Sequence, residues 1–217
     1  AQSLAVEATK GRVPLAKPEN FSLSEIKSLN FDSLDPANYL GSNNYYTEAL
    51  AGAASTGNAA VAGSFAGDVF NNTNKSSIGE NVKATTVGVD GVDVSSLSDT
   101  QAIAFTGAVA GAKQAGVGIS NTNLVSLDQT TASIGSGSDV RADGVGADVT
   151  VSAEARQDMA NIGVSAGAAT SGTGVGGVLG VMFSLGSTEA EVADNAFVKA
   201  KGDVSVTAKT DITSVIV

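Results

Sequence analysis

From residue 47 onward, apolar positions alternate with polar or small ones. A period of two places successive side chains on opposite faces of a strand. The clearest cases are Asp148-Val-Thr-Val-Ser-Ala and Asp203-Val-Ser-Val-Thr-Ala, where Val and Thr add the propensity of a half-buried strand. Residues 59–66 and 115–125 predict strands of another kind, built of Ala, Gly, Val and Ser with a few Phe or Leu. Small side chains suit places where two sheets or coils approach closely. Asn71-Asn72-Thr73-Asn74 and Gly135-Ser-Gly-Ser-Asp139 read as turns. The 159–185 stretch could pass for a helix, but its seven glycines between 163 and 180 make a helix costly.

The pattern before residue 47 differs. Ser22 and Glu25 have capping-box spacing, and Leu23, Ile26 and Leu29 recur at helical intervals. Asp35-Pro36 has the form of an N-cap followed by a first helical residue. Two short helices are expected, over 23–30 and 36–40, within an N-terminal capping or docking segment (1–46). Leu4 and Val6 ahead of them alternate as a strand would.

The remainder is a three-unit repeat, with units of approximately 47–98, 99–154 and 155–217. Four anchors recur in order. They are Ala-Gly-Ala at 51, 110 and 166; a small apolar pair at Ile78, Ile134 and Val192; Val-basic-Ala at Val82, Val140 and Val198; and Asp-Val at Asp93, Asp148 and Asp203. Their spacings, 59 and 56, 56 and 58, 58 and 58, 55 and 55, share one frame. A period near 56 predicts two or three coils per repeat. No Pro occurs after Pro36, which suits unbroken ladders. The expected fold is mainly β, an elongated right-handed parallel β-solenoid; an antiparallel β-sandwich or barrel is the alternative.

In sequence these anchors run as small-residue strand, Asn/Thr turn, (Ile/Val)-(Gly/Ala), Val-(Lys/Arg)-Ala, then (Gly/Ala)-Asp-Val-x-Val-(Ser/Thr)-Ala. That order resembles the degenerate repeat of very large bacterial exoproteins, the filamentous-haemagglutinin and leukotoxin-like passengers of autotransporter and two-partner secretion systems. The third unit, ending KAKGDVSVTAKTD at 199–211, is the closest match, and the similarity covers about 47–211. It implies a secreted stalk or adhesin and brings no catalytic residues with it.

Composition narrows the chemistry. Absence of Cys and His removes thiol nucleophiles, Ser-His triads, disulfides and thiolate or imidazole metal sites. A net charge of −10, with singly scattered basic residues, argues against nucleic acid. The longest apolar-looking run, Val175 to Leu185, is too short and Gly-interrupted for a membrane-spanning helix, so no membrane insertion is expected. The start, AQSLAVEATKG, suits a mature end after signal removal and equally an arbitrary boundary.

Acidic residues are the remaining candidates. Asp90, Asp93, Asp143, Asp148 and Asp203 cluster at related turns and are weak calcium candidates. Asp is also an ordinary turn residue, and that structural reading is preferred; no other cofactor is expected. Glu48, Glu80, Glu154, Glu189 and Glu191 show no pairing suited to glycoside cleavage. The expectation is therefore a non-enzymatic, extracellular, cell-surface structural or adhesive protein. Its expected partners are copies of itself or neighbouring segments of one passenger, with host surface or matrix glycans as further ligands. The alternatives are a filament subunit joined head-to-tail by strand addition, because Asp211–Val217 is apolar and strand-like, and a polysaccharide-binding solenoid.

Overall fold

The computed structural model describes the backbone of residues 3–10 and 44, and all of 45–217. Eleven strands follow one another: β1 (Ser3–Lys10), β2 (Asn44–Ala54), β3 (Ala59–Ile78), β4 (Lys83–Thr86), β5 (Gly91–Ala112), β6 (Ala115–Ile134), β7 (Asp139–Ala142), β8 (Val149–Ala169), β9 (Thr173–Val192), β10 (Phe197–Ala200) and β11 (Val204–Ile216). They form three sheets. Sheet A takes β1 and β2 beside β5, then β8 and β11; sheet B is β3-β6-β9; sheet C is β4-β7-β10. Every pairing among the described residues is parallel. That overturns the antiparallel sandwich. The predicted helices at 23–30 and 36–40 lie outside the described residues.

Each repeat adds one strand to each sheet, not two or three sets of strands. The difference lies in strand length: β3, β5, β6, β8 and β9 have 20–22 residues, where about 5–6 is ordinary. A 20-residue strand spans about 66 Å, while three stacked levels measure only about 15 Å. The long dimension of these three units is thus the strand, not the stacking axis. The Asn71–Asn74 cluster, predicted as a turn, lies inside β3. Gly135–Ser138 is the turn between β6 and β7, where Gly137 has a positive φ; Asn81 and Asn195 adopt the same left-handed conformation in the turns above and below.

The register corrects three of the four anchors. Ile78, Ile134 and Val192 do stack. Val149 pairs with Val92 and Val204, so Val94 belongs with Val151, two residues along. Val140 pairs with Val198 but with Ala84 rather than Val82. Ala110 pairs with Ala53 and Gly167. The slip of one at Gly167 turns Ala166 outward, because adjacent residues face opposite ways. Runs of Ala and Gly look alike at several offsets, so similarity could not choose among them.

The first level of sheet A is split. Lys10 pairs with Ser98 and Asn44 with Gln101, so β1 and β2 lie in line along β5.

Between sheets A and B the interior changes along the strands. Beside sheet C it holds Ile78, Val92, Val94, Ile134, Val140, Val149 and Val151. A polar belt follows. In it Asn72 Nδ2 donates to Thr100 Oγ1 at 2.9 Å, and Ser98 Oγ donates to the buried Asp128 carboxylate at 2.7 Å. Next come Phe70, Ala102, Ala104, Leu124 and Met159. At the A–B turn the interior is almost entirely small: Ala60, Ala62, Ala108, Ala110 and Ala112. Here the sheets approach so closely that a Cβ on Gly118 would lie 2.5 Å from the Ala166 carbonyl oxygen, and one on Gly116 would meet that of Ala168. The strands predicted from small residues at 59–66 and 115–125 occupy this narrow end.

Candidate functional site

The acidic candidates sit at the sheet C end. Asp90 precedes Gly91, whose positive φ forms the turn into β5, and Asp93 faces outward in β5. Asp148 and Asp203 stack in successive levels, where the Asp203 N–H donates to the Asp148 carboxylate at 2.7 Å. Asp143 faces Lys199 at 3.9 Å. Asp148 therefore serves as an acceptor for the next turn, and among the described residues no three acidic side chains gather as a metal site would require.

The glutamates are dispersed. Glu80 lies in a turn, and Glu189 and Glu191 lie on the outer face of β9. Glu154, on sheet A, pairs with Arg156 at 2.8 Å and Lys209 at 3.2 Å. Burial acts to raise its carboxyl, but hydrogen bonds from Arg156 and Lys209 outweigh burial and hold it below the usual range. Asp139 is likewise held low by the Arg141 guanidinium, which also lies 5.0 Å over the Phe197 ring. Glu48 accepts from the Tyr46 hydroxyl at 2.9 Å; burial and that contact push the phenol up to about 12.

The feature that sequence reasoning missed is the distribution of side chains over the outer faces. Toward sheet C, the outer faces carry Lys75, Asp93, Asp99, Glu154, Arg156, Glu189 and Lys209 among Ser and Thr. Toward the A–B turn they become apolar. On sheet B the outward positions of 59–71, 115–127 and 173–185 form rows across the three strands: Val61-Val117-Val175, Phe65-Asn121-Leu179 and Val69-Val125-Phe183. Ile119 and Leu185 add to them. Phe65, Ile119 and Leu179 are more than half exposed. No outward position in these segments is charged. Asn71, Asn121, Asn123 and Thr173 are polar exceptions, and Asn123 Nδ2 donates to Asn121 Oδ1 at 2.9 Å. The matching part of sheet A carries Leu50, Ile103, Phe105, Val109, Ile162 and Val164, but Glu48 and Asp158 interrupt it.

A sequence signal for this face exists. In 59–70 the small residues Ala60, Ala62, Ser64 and Ala66 share one parity, and Val61, Phe65 and Val69 the other. Ordinary patterning places the larger set inside; close sheet approach reverses it. Comparison with protein-family models, curated proteins and solved structures gave no match. Among the described residues no helix is long and apolar enough to cross a membrane.

Proposed function

We propose that the chain is a non-catalytic segment of a secreted bacterial surface protein, a right-handed parallel β-solenoid serving as a stalk or adhesin. The observation that carries this reading is the one-strand-per-sheet repeat: each unit lengthens three parallel ladders together. Such a stack gains height by about 4.8 Å per unit without limit and resists bending, because every level is hydrogen-bonded along its length. The resemblance of the anchors to exoprotein passengers supports the extracellular setting. The outer faces then meet the surroundings, with host or matrix glycans as candidate ligands of the polar part.

Filament assembly is the second reading. Core-facing Val204, Val206 and Ile212 on β11 are about half exposed, and a strand level contributed by another copy would cover them. Joining by residues 1–10 meets an obstacle: β1 already pairs with β5 of its own chain.

Two measurements test the proposal. Antibodies raised against residues 44–217 should label intact cells that make the protein; label appearing only after permeabilisation would overturn the surface assignment. A chain with 92–203 duplicated in tandem should lengthen by about 10 Å along the stacking axis in X-ray scattering, at unchanged width. Two separate compact bodies would overturn the solenoid.

A further inference from the structure

We propose that the apolar half of the outer face of sheet B is a lateral interface on which a second copy of this chain packs face to face. The inference does not rest on the stalk reading. It rests on three properties of the face.

The first is size. Three strands about 4.8 Å apart, over thirteen residues at about 3.3 Å each, give a footprint of roughly 600 Å² per copy. Two copies would bury roughly 1,200 Å² in total, the lower edge of specific interfaces, and each footprint lies at the upper end of the largest apolar patch that a typical monomer exposes. Side-chain relief makes the true area larger than the footprint.

The second is charge. The chain carries −10, yet no charged side chain points outward from 59–71, 115–127 or 173–185. Two copies can therefore meet here without bringing like charges together. The same balance disfavours an anionic lipid surface, which recruits faces rimmed with Lys and Arg. On sheet A, Glu48 and Asp158 would be desolvated by such a contact, so that face is the poorer choice.

The third is the polar pair at the centre. Asn121 and Asn123 lie on β6, the middle strand, and each carries both donor and acceptor groups. A two-fold axis passing near them sets Asn against Asn, so the contact is self-complementary and closes as a pair. Two sheets packed in this way lie about 10 Å apart, with their twist setting the angle.

The test is sedimentation of the full chain up to about 100 µM, a range that covers the micromolar affinity of a modest interface. A monomer–dimer equilibrium is expected. Ile119→Lys and Leu179→Lys should each weaken it about tenfold or more, through a charge buried without a partner, while circular dichroism and melting stay unchanged. If the Lys variants fold poorly, Ile119→Thr keeps a strand-forming residue and should still weaken pairing. Three results would overturn the proposal. One is a monomer throughout. Another is a dimer indifferent to these substitutions, whether dissolved by Phe105→Lys on sheet A or not, which would point to sheet A or to end-to-end stacking. The last is a monomer that floats with neutral phosphatidylcholine vesicles and loses this through Ile119→Lys, which would make lipid the occupant. Surface labelling and tandem growth are scored separately, so either proposal can fail alone.

Discussion

Beside sheet C, β5 and β8 turn Val92, Val94, Val149 and Val151 inward and Asp93, Ser95, Ser152 and Glu154 outward. Some ten residues further, the same two strands turn Ala108, Ala110 and Gly167 inward and Phe105, Val109 and Ile162 outward. The first half is an ordinary half-buried sheet, whose stability comes from apolar area removed from water, about 1.5–3 kcal/mol for each fully buried Val or Ile. The second buries little side-chain area. Its cohesion rests on backbone ladders and on the contact of two backbones at close range, where dispersion between densely packed atoms adds up. Between them, the belt around Asn72, Thr100, Ser98 and Asp128 is held by hydrogen bonds. Alternation marks a strand in both halves, but it assigns the inside only where the spacing between sheets is known.

The sharpest break of this comparison is a charge in the first half. Val149→Asp should destabilise by roughly 3 kcal/mol or more, because Val149 is fully buried without a partner for a carboxylate. Val204→Asp, at the stacked position one level below but half exposed, should cost about 1 kcal/mol or less. Denaturant titration of both variants checks the ratio; equal losses would mean that the stacking order of these levels is wrong.

In the second half, size rather than polarity is decisive. Gly118→Val should cost about 2–3 kcal/mol, since a Cβ there meets the Ala166 and Ala108 carbonyl oxygens at 2.5 and 2.8 Å and the sheets must part. Gly63→Ala, outward on β3 with its nearest neighbour at 3.9 Å, should change stability by no more than about 0.5 kcal/mol. Equal melting shifts for the two would refute the close approach of the sheets.

The smallest effect belongs to the charged outer face. The Glu154 carboxyl is held low in the folded protein, so its contribution is present above the ordinary glutamate range and is lost as pH falls through the lower folded value. Glu154→Gln should remove under about 1 kcal/mol at neutral pH, after allowance for solvent screening, and should flatten the acid limb of a melting-temperature profile. An unchanged acid limb would show that the pairing with Arg156 and Lys209 contributes nothing.

The sequence by itself determined that this is a mainly β chain of three repeats. Alternation in 148–153 and 203–208, the glycines of 163–180 and the recurrence of Ile78, Ile134 and Val192 each have a local cause: period-two side-chain direction, the backbone entropy of glycine and a common core position. It also marked a turn at Gly135–Asp139, of which Gly135–Ser138 turns and Asp139 opens β7. It could not determine how many strands one repeat adds to each sheet, because nothing local stops a strand at six residues rather than twenty. The register at Ala51, Ala110 and Ala166 was equally out of reach, since a run of small residues matches itself at several offsets and only hydrogen bonding across the sheet selects one. The outward apolar face was hidden for the same reason. Whether Phe65 or Ala66 points inward depends on how far away the opposite sheet lies, and that distance is set by Gly116 and Gly118 meeting the backbone of β8, a contact between residues about fifty positions apart in the chain.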